Sequence, residues 1–210
     1  MTLILDMPMQ ERAATTALDD VSATNVDGVL TGGTSALYSV VGPGGSYQRA
    51  LNLDGSTSFI QRQVNITGPN TIGWFTKFDG TQTNLLYQRL NYFEGVLSLQ
   101  DVTDNVATLN HTPSDGWHHF AFTYVNGVAS FFDNGATIGS FAGDVLDDLS
   151  NDGLLDTDLS LLFGATCGVR LYDTVLTQQE IRADYLLGVP ENPLQNPILN
   201  PLVNPILNPR

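Results

Sequence analysis

Residues 117–140 read WHHFAFTYVNGVASFFDNGATIGS, and this stretch decides the fold. His118 to Val125 is rich in aromatic and β-branched residues, which suit a pleated, half-buried surface. The run stops at Asn126-Gly127, a pair that tolerates positive φ and so fits a two-residue type I′ hairpin. The chain returns through Val128 to Phe132 and meets a second such pair, Asn134-Gly135. Two turns of the same chemistry with apolar runs around them predict a three-stranded meander. The two-residue loop also sets the register: Val125 opposite Val128, Thr123 opposite Ser130, Phe122 opposite Phe131.

Strand signals continue outward on both sides. Leu3 to Leu5 is a short apolar strand stopped by Asp6 and Pro8. Residues 10–35 are polar and rich in turn-formers, among them Asp19, Asp20 and Asn25. Ala50 to Leu53 and Ser58 to Gln61 read as a hairpin around Asp54-Gly55. Thr71 to Phe78, TIGWFTKF, is a strand with aromatics suited to a core, Trp74 among them. Leu85 to Leu90, Val96 to Leu99, Val106 to Leu109, Leu159 to Phe163 and Val169 to Tyr172 follow. Short strands with regular turn signals predict an all-β, two-sheet antiparallel jelly-roll sandwich. One short helix stands apart. Thr177-Gln178-Gln179-Glu180 is a capping box, and Ile181, Tyr185 and Leu186 share a face. Gly188 is expected to end that helix in the left-handed conformation, with Pro190 beyond.

Charge limits the partners. The 210 residues carry a formal net charge of −14, from 22 acidic and eight basic residues. Such a surface repels nucleic acid and anionic membranes, so neither is an expected partner. Asp dominates the acids, which places much of the charge in turns. One cysteine, Cys167, allows no internal disulfide and reads as a small buried apolar residue. MTLILDMPMQ has no basic segment and no long apolar run, so no secretory signal or membrane span is expected, and the chain reads as cytosolically made.

Four segments carry a family resemblance. The opening strand with ATNVDGVLTGG, then RALNLDGSTSFI, DGWHHFAFTYVNGVASFFDNG and GVRLYDTVLTQQEIRADY, together resemble a laminin G-like domain of the concanavalin A-like lectin/glucanase superfamily. The resemblance spans about residues 3–187. It implies two antiparallel sheets packed as a jelly roll, and it implies no single function, because that fold hosts glycan binding, adhesion and hydrolysis. It also implies a structural calcium between the N-terminal loop, matched here by Asp19, Asp20 and Asn25, and the closing strand. The family's Asp-Glu before that strand is replaced here by Cys167-Gly168.

Catalytic and metal signals are sparse. Glucanases of the superfamily place two Glu and an Asp closely on one strand, since retaining chemistry needs two carboxyl groups flanking the bond. The four Glu here, Glu11, Glu94, Glu180 and Glu191, lack that spacing, and no G-x-S-x-G is present. No catalytic residue is assigned and no cofactor is required. Asp148, Asp152 and Asp156 sit in DVLDDLSNDGLLDTD and resemble the first half of a calcium loop. Leu159 stands where the bidentate acid belongs, so a solvated acidic loop is the simpler reading. His118 and His119 point to opposite faces of a strand, which makes them a poor metal pair and good structural residues. Tyr87, Tyr92 and Phe93 suit either sugar stacking or the core.

The domain is expected to end at residue 188. Residues 189–210 then form an arm, VPENPLQNPILNPLVNPILNPR. Asn-Pro recurs every four residues, followed by apolar residues, and no charge appears between Glu191 and Arg210. Proline disfavours helix and central strand, so the repeat predicts successive turns or an extended arm. Its apolar positions make it sticky in water, and its stiffness lowers the entropy lost on docking. Pro193, Pro197, Ile198, Leu199, Leu202, Ile206 and Leu207 are the expected partner-binding residues, toward other structural proteins or the chain's own subunits. The sequence therefore reads as a non-enzymatic structural or binding protein, with virion decoration or a phage tail-associated role as the expectation. A free, glycan-binding lectin-like module using the sandwich loops, with or without calcium, is the alternative.

Overall fold

The 117–140 stretch forms the predicted meander. A computed structural model describes residues 2–10, 17–23, 28–31, 40–54, 59–61, 69–79, 84–86, 90–93, 96–100, 106–142 and 163–189. The strands are β1 (Leu3–Met7), β2 (Ala17–Leu18), β3 (Gly28–Thr31), β4 (Val40–Gly44), β5 (Tyr47–Asp54), β6 (Phe59–Gln61), β7 (Asn70–Phe78) and β8 (Asn84–Leu86). After them come β9 (Leu90–Phe93), β10 (Val96–Gln100), β11 (Val106–Leu109), β12 (Gly116–Val125), β13 (Val128–Asp133), β14 (Ala136–Ala142) and β15 (Phe163–Tyr172). A single helix, α1 (Gln178–Leu187), closes the described residues. Strands β12, β13 and β14 pair in sequence, in the register set by the Asn-Gly turns. Asn126 and Gly127 have φ of 52° and 73°, Asn134 and Gly135 of 51° and 77°, as type I′ turns require.

The main sheet runs β14-β13-β12-β7-β15-β5-β4, all antiparallel, with β1 also on β15. Strand β15 changes partner along its length. Residues 163–166 pair with β5, and a bulge between Cys167 and Arg170 then hands the strand to β1. Gly168 makes that bulge at a φ of 61°. The side chain of Gln10 stitches the junction, donating to the carbonyl of Arg49 (2.7 Å) and accepting from its N–H (2.9 Å). An amide side chain thus stands in for a missing strand residue.

The sheet's two faces bury different things. Leu171, Ile72, Phe122 and Phe131 lie in register across four strands and face Leu97 and Leu109 of a second sheet, β11-β10-β9-β8. Trp74, Phe120, Phe122 and Phe131 are 1–2% exposed there, with centroids of Trp74–Phe120 at 6.0 Å and of Phe122–Phe131 at 5.4 Å. Each such burial contributes about 1.5–3 kcal/mol. On the opposite face, Arg170, Gly73, Ala121 and Phe132 lie in register, and α1 packs there through Ile181 against Ala121, Phe132, Tyr172 and Leu176. A third sheet, β2-β3-β6, completes the architecture. The sandwich, and the helix after the last strand, are as the sequence implied.

Four local readings change. Strands β5 and β6 do not form a hairpin: β5 belongs to the main sheet, whereas β6 pairs with β3. Residues 85–90 are not one strand, because β8 and β9 turn back on each other. Leu186 is 52% exposed and does not share the buried face of Ile181. Gly188 ends α1 with φ −90°, in the right-handed region. Glycine is needed for space there, since a Cβ would lie 2.4 Å from the Phe75 ring. The capping box at Thr177 and Glu180 is present in both halves.

Candidate functional site

His118, Asp133 and Ser114 come together beside β12 and form, among the described residues, a constellation that resembles a nucleophile, base and acid set. The register places Asp133 opposite Phe120, hence diagonal to His118 on the same face. His118 Nδ1 lies 2.7 Å and 2.9 Å from the two Asp133 oxygens. Ser114 Oγ lies 3.4 Å from His118 Nε2. The wiring differs from a catalytic triad in one decisive bond. Nε2 also lies 2.7 Å from the carbonyl oxygen of Ser114. Carboxylate and carbonyl oxygens only accept, so both ring nitrogens of His118 carry protons. An imidazolium with both N–H groups engaged has no lone pair to take the Ser114 proton, so it cannot serve as that serine's base.

Charge and burial agree with this. Burial works to lower the His118 pKa, but the hydrogen bond and charge of Asp133 and the Ser114 carbonyl outweigh it and raise the value above 6.5. His111 Nε2 donates to the second Asp133 oxygen at 2.7 Å. Asp133, 5% exposed, thus ties the 110–118 segment to β13 through two histidines. The arrangement is a structural clamp.

His119 has the opposite environment. It is 2% exposed and packs on Phe75 at a centroid distance of 4.7 Å and on Tyr185 at 6.4 Å. Burial, with the Arg170 charge, pushes its pKa down to about 3, so it is a neutral ring in the sheet–helix layer. The two adjacent histidines therefore have pKa values shifted in opposite directions on opposite faces of the strand.

Beneath α1 lies a second charged network. Arg170 donates to Asp6 through Nε (3.3 Å) and Nη2 (3.0 Å), and to Asp184 through Nη1 (3.1 Å). The Tyr172 hydroxyl donates to the other Asp184 oxygen at 2.6 Å. Burial raises the Asp6 carboxyl above its ordinary range against the pull of Arg170. Buried pairs of this kind do more to orient than to stabilise: here they fix β1 and α1 to opposite sides of one β15 residue. Asp20, matched by the resemblance to a calcium loop, accepts backbone N–H groups of Asp6 (3.0 Å) and Ser22 (2.9 Å) and closes that loop onto β1. Cys167 is fully buried and burial raises its thiol pKa, as expected of an inert core residue.

The expected site residues are not among those described. Asp148, Asp152 and Asp156 fall outside the described residues, as do Asn25 and the arm residues Pro193, Pro197, Ile198, Leu199, Leu202, Ile206 and Leu207. Tyr87 does too, and only the backbone is described at Tyr92 and Phe93. Among the described residues no group of three or more His, Cys, Asp or Glu is placed to hold a metal ion, and no helix is long and apolar enough to cross a membrane. A cleft of about 570 Å³ opens where the arm begins, lined by Gly44, Gly45, Ser46, Gln48, Leu186, Leu187 and Val189.

The fold has solved relatives in shape. The chain is similar to the receptor-binding domain of botulinum neurotoxin C/D mosaic serotype, with a TM-score of 0.60 and 16% identity over 88% of this chain and 51% of that one. It is similar to the binding domain of Paraclostridial Mosquitocidal Protein 1, with a TM-score of 0.55 and 13% identity over 88% and 52%. A structure of botulinum neurotoxin type C, whose cell entry is described as dependent upon interaction with two ganglioside molecules, matches at a TM-score of 0.58 and 12% identity over 88% and 50%. The chain spans about half the length of the solved chains it matches. No family model and no curated protein matches the sequence. Identities this low establish the β-sandwich fold, compatible with a concanavalin A-like jelly roll. They do not single out the laminin G branch.

Proposed function

We propose that the chain is a non-enzymatic binding module whose sandwich loops engage a glycan or receptor surface while the C-terminal arm anchors it. The observation that supports this most is the likeness over 88% of the chain to domains described as receptor-binding. The wiring of His118 fits the same reading, because the constellation that most resembles a catalytic set has acceptors at both ring nitrogens of its would-be base. The net charge of −14 favours neutral glycans over sialylated ones, which distinguishes this chain from partners of ganglioside type. The test is a glycan array carrying neutral and sialylated sugars, probed with the full chain. Saturable binding to one neutral class supports the reading; uniform background across the array overturns it.

The arm favours a finer reading, in which the module is a virion decoration or phage tail-associated component of laminin G-like type. An uncharged, proline-stiffened, apolar repeat on an acidic domain suits attachment to a structural assembly. Calcium enters this reading only through Asp148, Asp152 and Asp156, and titration calorimetry with calcium on the full chain and on Asp152→Asn tests it.

A further inference from the structure

We infer that the cleft at the end of α1 receives the Asn-Pro arm of a second copy of this chain. The inference rests on the reading of residues 190–210 as a docking arm and adds its receptor.

The cleft is fixed by close packing. Gly188 sits on the Phe75 ring, where a Cβ would lie 2.4 Å away. The Ser46 N–H donates to the Leu187 carbonyl at 2.7 Å. Gly45 has a φ of 52°, and a Cβ there would lie 2.2 Å from the same carbonyl oxygen. The β4–β5 turn and the end of α1 therefore form one wall, held by backbone contacts that other residues cannot make.

Its chemistry matches the arm. The chain carries a net charge of −14, yet none of the residues lining the cleft is charged. Leu186 stands 52% exposed on its rim, one of four large hydrophobic side chains so exposed among the described residues. Residues 192–209 of the arm are likewise uncharged, with one or two apolar residues after each of the first four Asn-Pro pairs. The six prolines lack N–H donors, so backbone carbonyl acceptors outnumber backbone N–H donors along the arm. The Ser46 hydroxyl and the Gln48 amide supply donors. Gln48 Nε2 gives one hydrogen to the Gly45 carbonyl at 2.7 Å and carries a second.

Geometry favours exchange between copies. Val189 lines the cleft and is the last residue before Pro190, so the arm departs from the rim of its own cleft. Val189 and Asn192 both precede proline, which biases each toward extended backbone. An extended proline-rich arm of residues 190–210 reaches roughly 65 Å at about 3.1 Å per residue. A domain of this size has a radius of gyration of roughly 17 Å. Each copy then offers one arm and one cleft, and reciprocal exchange closes a two-fold dimer.

The test uses full-length chains and light scattering over a range of concentrations. Leu186→Arg puts a charge in the cleft at an exposed position, and Ile198→Asp with Ile206→Asp puts charges on the arm. Each variant is expected to raise the dimer dissociation constant by about tenfold or more, with unchanged circular dichroism, and Leu186→Ala to give a smaller rise. Mixing the cleft variant with the arm variant in equal amounts restores dimers, because one intact cleft meets one intact arm. A native chain that is monomeric at all concentrations, its arm lying in its own cleft, overturns the inference. An arm variant that dissociates while the cleft variant stays associated also overturns it, and leaves the arm reading standing. If neither variant changes the mass of an associated native chain, the arm reading falls as well.

Discussion

Replacing Asp133 by Asn gives the sharpest test of the His118 clamp. The substitution keeps the shape and removes the negative charge facing His118 Nδ1 and His111 Nε2, both at 2.7 Å. His118 is 5% exposed, so its imidazolium would be left buried without a counter-charge. Breaking a buried pair costs about 3–5 kcal/mol. A histidine can escape that cost by shedding its proton, so the penalty depends on pH. The folded pKa of His118 is raised above 6.5, so the clamp's stabilisation is fully present below 6.5 and is lost as pH rises through the folded value. At pH 5.5 the variant is expected to lose about 3–5 kcal/mol, a fall in Tm of about 6–20 °C for a chain of this size. Once pH has risen through the folded value the ring is neutral and its charge pairing with Asp133 is gone, so at pH 9 the loss is expected to be smaller, about 1 kcal/mol. Urea unfolding of both proteins at the two pH values, followed by Trp fluorescence, measures the difference. An equal loss at both values, or a larger loss at pH 9, would show that His118 is not held as a cation.

Further outcomes follow from neighbouring contacts. His119 is expected to stay neutral throughout the range in which a free histidine titrates, since its pKa lies at about 3; a histidine NMR titration should show one ring without a chemical-shift change above pH 4, and a step near 6.5 would contradict its burial. Gly168→Ala puts a Cβ 2.7 Å from the Tyr47 ring at a φ of 61°. Left-handed strain and overpacking together should cost about 2–5 kcal/mol by chemical denaturation. Arg170→Ala leaves Asp6 and Asp184 facing each other without their cation and should cost about 3–5 kcal/mol at pH 7. Part of that loss should return as pH falls, because the buried Asp6 carboxyl, already raised by burial, then takes up a proton more readily than in the unfolded chain.

How much of this was legible in the sequence depends on the distance between the partners. The meander was fully readable, because Asn126-Gly127 and Asn134-Gly135 set turn type and register within a few residues. The same register, carried to its end, puts Asp133 opposite Phe120 and beside His118, so the clamp is implicit in the hairpin. The Arg170–Asp6 pair joins residues 164 positions apart, and no local pattern indicates it. The false hairpin at Asp54-Gly55 shows the limit of turn chemistry: the signal marks where a strand ends, and the pairing of β6 with β3 is a tertiary choice. Gly188 was identified correctly as the helix stop for the wrong reason, since the constraint comes from Phe75 on β7 rather than from left-handed backbone. The arm carries a clear sequence pattern, whereas its receptor depends on β4, β5 and α1 meeting in space.

The central claim is that the sandwich binds while the arm anchors, and one surface-binding measurement separates the two. The native chain and the Ile198→Asp, Ile206→Asp variant are passed over an immobilised neutral glycan chosen from the array, with a mock surface alongside. The account predicts saturable binding by both, with the same single-site affinity, and tighter apparent binding of the native chain only where association makes it bivalent. No specific binding by either protein, or binding that disappears with the arm substitutions, would contradict it.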